Sequence, residues 1–126
     1  MNFGIIGSGS WATALAKILT DNKNKINWWL RSDSSINSFK YRRHNPQYLR
    51  SVFFNTRYLN FSTSAEEVIR QSDVILIVVP SAFVADALNG LPKNIFDDKK
   101  IISAVKGILP LRNVLLNEYL KSKFNV

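Results

Sequence analysis

The chain has 126 residues, of which 46% are hydrophobic and 21% charged, and it carries a formal net charge of +8. These values are ordinary for one globular domain and argue against disorder, while the basic balance favours anionic partners. With no cysteine and one histidine, disulfides and cysteine- or histidine-rich metal sites are excluded, and no metal is expected. The longest aliphatic run, residues 74–79, is too short to span a bilayer, and there is no targeting signal, so we expect a cytoplasmic protein that does not enter membranes.

The first part of the chain alternates between strand-like and helix-like patterns. Residues 2–6 form a short apolar run ending at a glycine, which predicts a buried strand. A helical period follows, and its expected buried face consists of Trp11, Ala14, Leu15, Ile18 and Leu19. A second strand is predicted over residues 25–31. Ser32 or Asp33 is expected to cap a helix that runs toward Lys40.

The middle of the chain begins with a segment, residues 41–61, that has no clear period. Ser64 and Glu67 then match a capping box, so a helix is expected to start at residue 65 and to bury Val68 and Ile69.

The last part of the chain repeats the alternation of strand and helix. The aliphatic run at 74–79 is typical of a strand covered on both faces of a parallel sheet. A helix over residues 82–89 with Gly90 as its C′ residue, a strand over 101–105, and a helix from Pro110 to about residue 121 are expected next. This order predicts an α/β fold, a Rossmann-like doubly wound parallel sheet in three layers.

A glycine motif, Gly-Ser-Gly-Ser-Trp-Ala, lies between the first predicted strand and the first helix. Gly7 would allow the tight turn, Gly9 would let the backbone approach a pyrophosphate, and Ala12 would permit close packing of helix on strand. The helix N-terminus would offer N–H groups to phosphates. A tight turn without a ligand is the alternative, but the position of the motif favours a dinucleotide site.

The end of the second strand bears on the choice between NAD and NADP. Dinucleotide-binding domains that select NAD carry an acidic residue there, about 20 residues after the glycines. This chain has Arg31, which could pair with a 2′-phosphate, and Asp33 is better placed to cap the next helix. The pattern favours NADP(H), with a solvated surface arginine as the alternative.

Several segments, taken in order, resemble the bacterial NAD(P)-dependent glycerol-3-phosphate dehydrogenases. Residues 7–16 resemble the family's Gly-x-Gly-Ser-Trp-Gly-Thr-Ala-Leu-Ala opening, and residues 28–31 resemble its strand ending in Trp-Gly-Arg. Residues 45–49 match its Asn-Pro-x-Tyr-Leu loop. Residues 78–81 fit its Val-Pro-Ser strand end, and residues 103–108 resemble its Ser-Ala-Thr-Lys-Gly-Leu segment.

The resemblance implies a role for individual residues. It implies that Ser10 and Trp11 contact the cofactor, that Arg31 lies near the adenosine ribose, and that Lys106 lies near both cofactor and substrate. Tyr48 would border the cofactor or pack its own loop. The implied reaction is the reversible NAD(P)H-dependent reduction of dihydroxyacetone phosphate to sn-glycerol 3-phosphate, which feeds phospholipid synthesis.

Three departures from the family pattern concern the cofactor site and its surroundings. Ala12 and Leu30 stand where the family has glycine, and Val105 stands where it has threonine. The family's general acid–base lysine belongs to a helical domain for which residues 1–126 have no counterpart, so no catalytic residue is assigned. We expect residues 1–126 to be the cofactor-binding part of a two-domain enzyme. Alone, these residues should bind cofactor weakly and show no turnover. A homodimer is kept as a candidate assembly.

Two other functions remain open. Aromatic and basic residues alternate over residues 39–61, as in some proteins that bind single-stranded nucleic acid. We favour the reading in which these aromatics pack the core and the arginines stay solvated, so no nucleic-acid partner is expected. The chain could also be a stand-alone dinucleotide-sensing module, because a fold alone does not fix a function.

Overall fold

The computed structural model describes residues 2–45, 49, 51–103 and 116–124. The strands in this part of the chain are β1 (Phe3–Ile6), β2 (Ile26–Trp29), β3 (Leu59–Ser62), β4 (Val74–Ile77) and β5 (Lys100–Ser103). The α-helices are α1 (Ser10–Asp21), α2 (Asp33–Arg42), α3 (Ala65–Arg70), α4 (Val84–Ala87) and α5 (Leu116–Lys123). Short 3₁₀ turns lie at Thr56–Tyr58 and Ser81–Phe83.

The five strands form one parallel sheet in the order β3-β2-β1-β4-β5. The chain first moves outward from β1 to β2 and β3, and then crosses to β4 and β5 on the other side. This reversal beside β1 is the topological switch point of a doubly wound sheet, where ligands bind outside the carboxyl ends of the strands. The predicted α/β fold is confirmed.

Helices cover both faces of the sheet. Neighbouring residues of the central strands point to opposite sides, and both sets are apolar, so each face must be buried. Ile5 and Ile6 of β1 are both fully buried, yet they belong to different hydrophobic clusters. Ile5 packs in the cluster that contains residues of α1 and α2, whereas Ile6 packs with residues of α3, α4 and α5. The same division separates Leu76 from Ile77 in β4, so the centre of the sheet is held from both sides.

The buried face of α1 differs from the predicted one. The buried residues are Ala12, Thr13, Ala16 and Thr20, whereas Trp11 is 61% exposed and Ile18 is 58% exposed. Leu15 and Leu19 pack against the core only in part. Small side chains on the inner face let the helix lie close to the sheet, and this close packing determined the face more strongly than the spacing of the large apolar residues.

Strand β3 was not predicted. It has only four residues, at the end of the irregular segment 41–61 and one residue beyond it, and Asn60 interrupts their apolar pattern.

The helix expected over 82–89 is instead a 3₁₀ turn followed by α4, although Gly90 does adopt a left-handed φ of +77°. The strand expected over 101–105 is a largely exposed sheet edge, with Ile102 52% exposed, over the residues described. Part of that strand and the start of the last helix fall in 104–115, outside the described residues.

The expected N-caps of α2 and α3 are confirmed. Ser32 is the N-cap of α2 and accepts a hydrogen bond from the backbone N–H of Ser35. Ser64 is the N-cap of α3 and accepts from the backbone N–H of Glu67. The second half of the expected capping box is absent, because the Glu67 carboxylate accepts a hydrogen bond from the Ser62 hydroxyl instead.

Candidate dinucleotide-binding site

The glycine loop, residues 7–9, connects β1 to α1 at the switch point of the sheet. Gly7 has a φ of +136°, and a Cβ built on it would lie 2.4 Å from the backbone oxygen of Val78, just beyond β4. An L-residue would therefore be strained by its backbone conformation and blocked by a neighbouring backbone atom. The tight turn expected of Gly7 is present, and it brings the loop across the end of β4.

Gly9 has different surroundings, because a Cβ built there would meet nothing within 4 Å. Gly9 is the N-cap of α1, and no side chain caps that helix end. Its first N–H groups are therefore available to a ligand that carries negative charge. Ser10 and Trp11, which begin the helix, are exposed beside this space. Open room in front of an uncapped helix N-terminus fits the pyrophosphate of a dinucleotide.

Ala12, the third small position of the motif, is fully buried against the sheet. It packs in the same cluster as Ile5 of β1 and Leu76 of β4. The methyl group that distinguishes it from glycine is accommodated within helix-to-sheet packing. It therefore lies on the inner side of α1, away from the open room at Gly9.

Three buried side chains outside the predicted site reach the backbone of the glycine loop. The indole Nε1 of Trp28 donates to the Gly7 carbonyl at 2.6 Å. The amide Nδ2 of Asn45 donates to the Ser8 carbonyl at 2.9 Å and to the Thr13 hydroxyl at 3.0 Å. The Thr13 hydroxyl in turn donates to the Gly9 carbonyl at 2.8 Å. No sequence signal marked the contacts of Trp28 and Asn45 with the loop, because they join residues 21 and 37 positions apart.

Arg31 follows β2, at the same carboxyl-terminal end of the strands as the glycine loop. It is exposed, and its guanidinium carbon lies 4.9 Å from the centroid of the Phe83 ring. A guanidinium over an aromatic ring gains a cation–π contact and keeps its in-plane N–H donors for an anion. Leu30, beside it, is only 3% exposed and packs into the core. The large residue at position 30 therefore turns away from the crevice.

The described residues thus bring together much of the predicted cofactor site. Gly9, Ser10 and Trp11 lie together beyond the end of β1, where the buried Gly7 makes the turn, and Arg31 follows the neighbouring strand. Phe83, which the sequence did not single out, belongs to the same edge through its contact with Arg31. The remaining predicted contacts, Tyr48 for the cofactor and Lys106 for cofactor and substrate, lie outside the described residues.

The basic and aromatic segment is divided between core and surface. Phe39 and Phe54 are buried and pack around Trp28, with ring centroids 5.2 and 5.8 Å from it. Tyr41 and Phe53 are exposed at 88% and 57%. Several of the aromatics thus fill the core, as expected, and these are not available to stack on bases.

Three further features of the described residues bear on other kinds of site. No group of three or more acidic or histidine side chains within them could hold a metal ion. None of their helices is long and apolar enough to cross a membrane. An open groove of about 480 Å³ lies at the opposite, amino-terminal edge of the sheet, and we call it the amino-edge groove. It is lined by Asn2, Lys25, Ile26, Asn27, Arg57, Tyr58, Leu59, Asn60 and Gln71.

Comparison with known proteins gives the family. A family model described as "NAD-dependent glycerol-3-phosphate dehydrogenase N-terminus" matches residues 2–126. A relative from Brachyspira hyodysenteriae named glycerol-3-phosphate dehydrogenase [NAD(P)+] is 34% identical over 108 residues, which are 86% of this chain and 32% of that protein. A relative of the same name from Colwellia psychrerythraea is 34% identical over 112 residues, 89% of this chain and 33% of its own length. The chain spans about a third of the length of these relatives.

Solved structures agree with the fold. The glycerol-3-phosphate dehydrogenase of Coxiella burnetii has a TM-score of 0.84 at 25% identity, covering 97% of this chain and 37% of that one. The enzyme of Plasmodium falciparum gives the same TM-score at 22% identity and covers 100% of this chain and 38% of its own, which bears on the fold alone. From the sequence match over residues 2–126, the chain belongs to the NAD-dependent glycerol-3-phosphate dehydrogenase family, to whose N-terminal part it corresponds.

Proposed function

We propose that residues 1–126 form a domain that binds NAD(P) at the carboxyl edge of β1 and β4. The pyrophosphate would lie over Gly9 and accept hydrogen bonds from the first N–H groups of α1. Ser10 and Trp11 would contact the cofactor beside it. The observation that carries this proposal is the open space at Gly9 in front of a helix N-terminus that no side chain caps.

We further propose a preference for NADP(H) over NAD(H), carried by Arg31. Its guanidinium lies over the Phe83 ring and is exposed at the sheet edge where the adenosine ribose would lie. The in-plane N–H groups left free by this geometry suit a 2′-phosphate. Asp33, the acidic residue nearest in sequence, is the first residue of α2, where its charge stabilises the helix N-terminus.

The proposed reaction of the two-domain enzyme is the reversible reduction of dihydroxyacetone phosphate to sn-glycerol 3-phosphate. Bound NAD(P)H would supply the hydride, and the protein would orient the reactants and stabilise charge. Lys106, through the family resemblance, would contact the substrate and the cofactor. No residue of this chain is assigned as general acid–base, so the proposal for these residues alone is binding without turnover.

Titration of the 126-residue chain with NADPH and NADH, followed by tryptophan fluorescence, tests the proposal. Trp11 is exposed beside the loop and is the expected reporter, so Trp11→Phe should remove most of the signal while leaving binding measurable by calorimetry. Saturable quenching that is lost in Gly9→Asp supports the site. A folded chain that binds neither cofactor would overturn it, and Arg31→Ala that leaves the NADPH-to-NADH ratio unchanged would overturn the proposed preference.

A further inference from the structure

We propose that Asn45, Thr13 and Trp28 are positioning residues that hold the glycine loop in its phosphate-binding conformation before a ligand arrives. The inference rests on the proposed dinucleotide site and adds residues to it that lie outside the glycine motif. Its basis is that three consecutive backbone carbonyls, those of residues 7, 8 and 9, each accept a hydrogen bond from a buried side chain.

The three donors come from three different parts of the chain. Trp28 belongs to β2 and is fully buried, Thr13 lies on the inner face of α1 and is also fully buried, and Asn45 follows α2 and is 4% exposed. Asn45 reaches both the Ser8 carbonyl and the Thr13 hydroxyl, so it links two of the three contacts. A serine or threonine hydroxyl often bonds the carbonyl four residues earlier in a helix. The contacts from Trp28 and Asn45 have no such local origin.

The direction of these carbonyls determines the direction of the loop N–H groups. The described residues contain no cis peptide bond, and in a planar trans peptide the C=O of one residue points opposite to the N–H of the next. The Gly9 carbonyl is held by α1 itself, because it also accepts the backbone N–H of Thr13 at 2.9 Å. With the carbonyls of residues 7 and 8 held by buried donors and that of Gly9 held by the helix, the N–H groups of Ser8, Gly9 and Ser10 point the other way. The same arrangement removes partial negative charge from the side where phosphate would bind.

Asn45 is itself held by its neighbours, so it can act as a fixed point. The segment around it pairs with residues 53 and 54, because Phe54 N–H donates to the Arg43 carbonyl at 2.8 Å. Lys17 of α1 donates to the Phe53 carbonyl at 2.6 Å, which ties the residues that pair with this segment to the same helix. This part of the chain is thus connected to α1 at Thr13 and at Lys17, which are about one helical turn apart.

Binding to an already ordered loop avoids the loss of conformational freedom that ordering it would cost. Asn45 makes two hydrogen bonds in this network, and losing them should weaken binding of NADPH or NADH about tenfold. The chain supplies a matched control in Asn27, whose amide also donates to one backbone carbonyl and one hydroxyl, those of Gln71 and Ser72. Asn27 lies at the opposite edge of the sheet, away from the loop.

A pair of threonines gives a second matched comparison. Thr20 lies on the same helix as Thr13, is 5% exposed, and donates to the Lys17 carbonyl at 3.2 Å. Thr13→Val and Thr20→Val each remove a buried hydroxyl from one helix, and Thr13→Val also loses the bond that Asn45 donates. Both should cost stability, but only Thr13→Val should weaken dinucleotide binding. Thr13→Ser restores the hydroxyl and should recover most of the affinity.

The experiment measures dissociation constants for NADPH and NADH by calorimetry in the parent chain and in two pairs of variants, with thermal melts of each. The pairs are Asn45→Ala with Asn27→Ala, and Thr13→Val with Thr20→Val. Weaker binding confined to Asn45→Ala and Thr13→Val supports the inference. Equal affinities across each pair would overturn it while leaving the proposed function intact. A parent chain that binds neither cofactor would instead overturn the proposed function, and with it the inference.

Backbone ¹⁵N relaxation in the ligand-free chain gives a readout that does not depend on binding. Order parameters at residues 8–10 should be near 0.85 in the parent and in Asn27→Ala, and should fall toward about 0.6 in Asn45→Ala. If Asn45→Ala fails to fold, Thr13→Val and Thr20→Val are compared in the same way. A loop that is as rigid in Asn45→Ala or Thr13→Val as in the parent would contradict the positioning role.

Discussion

Alanine substitution at the two loop glycines separates a structural requirement from a ligand-binding one. In Gly7→Ala the new Cβ would lie 2.4 Å from the Val78 backbone oxygen, at a φ of +136°. The backbone conformation alone costs an alanine about 1–3 kcal/mol, and relieving the contact requires the loop or the end of β4 to shift, at a similar cost. We expect Gly7→Ala to lower the free energy of unfolding by about 3 kcal/mol or more.

Gly9→Ala is the matched control for stability, because its Cβ would enter open space and its φ of −74° is ordinary for alanine. Its stability should stay within about 1 kcal/mol of the parent. Its affinity for NADPH and NADH should nevertheless fall at least about tenfold, because the methyl group occupies the room into which the pyrophosphate would come.

Thermal melts and calorimetric titrations of both variants check the two effects together. With an unfolding entropy of roughly 2.1 cal/mol/K per residue, a loss of about 3 kcal/mol in a chain of 126 residues lowers Tm by roughly 10 °C. A Gly7→Ala variant that melts like the parent, or a Gly9→Ala variant that binds the cofactors as tightly as the parent does, would contradict these two roles.

Three further predictions concern the core, a helix cap and the basic surface. Phe39→Ala should cost about 3–5 kcal/mol in chemical denaturation, because its fully buried ring contacts Trp28, whereas Tyr41→Ala at an 88% exposed position should change stability by less than about 0.5 kcal/mol. Similar losses at both positions would contradict this assignment of core and surface. Ser64→Ala removes the hydroxyl that accepts from Glu67 N–H and should cost about 1 kcal/mol in the same assay, with Ser64→Asp largely retaining the cap. Fluorescence anisotropy with a single-stranded oligonucleotide should show no saturable binding at physiological salt, and tight salt-sensitive binding would restore the nucleic-acid hypothesis.

Long and strongly patterned elements could be predicted from the sequence, and short or edge elements could not. The aliphatic run of β4 is buried on both faces, as its composition indicates. Strand β3 was missed because four residues at a sheet edge need little apolar pattern, and their pairing with β2 is a long-range effect. For α1, large apolar residues predicted the wrong inner face, since close packing on a sheet favours small side chains there.

The candidate site divides in the same way between local and long-range information. The glycines could be identified because a tight turn and a close approach to backbone depend on residue type at fixed positions. The side chains of Trp28 and Asn45 could not be associated with the loop, because their contacts with it exist only once the sheet and the crossing segment are assembled. Phe83 was missed for the same reason, since its contact with Arg31 joins the segments that follow two different strands.

Binding of a dinucleotide on the glycine loop can be mapped residue by residue, from backbone amide shifts in ¹H–¹⁵N spectra during titration with NADPH. We expect saturable shifts that are largest at residues 8–12 and next largest around Arg31, and that are absent in Gly9→Asp. Saturable shifts centred instead on the amino-edge groove, around Lys25 and Arg57, with residues 8–12 unaffected, would contradict it.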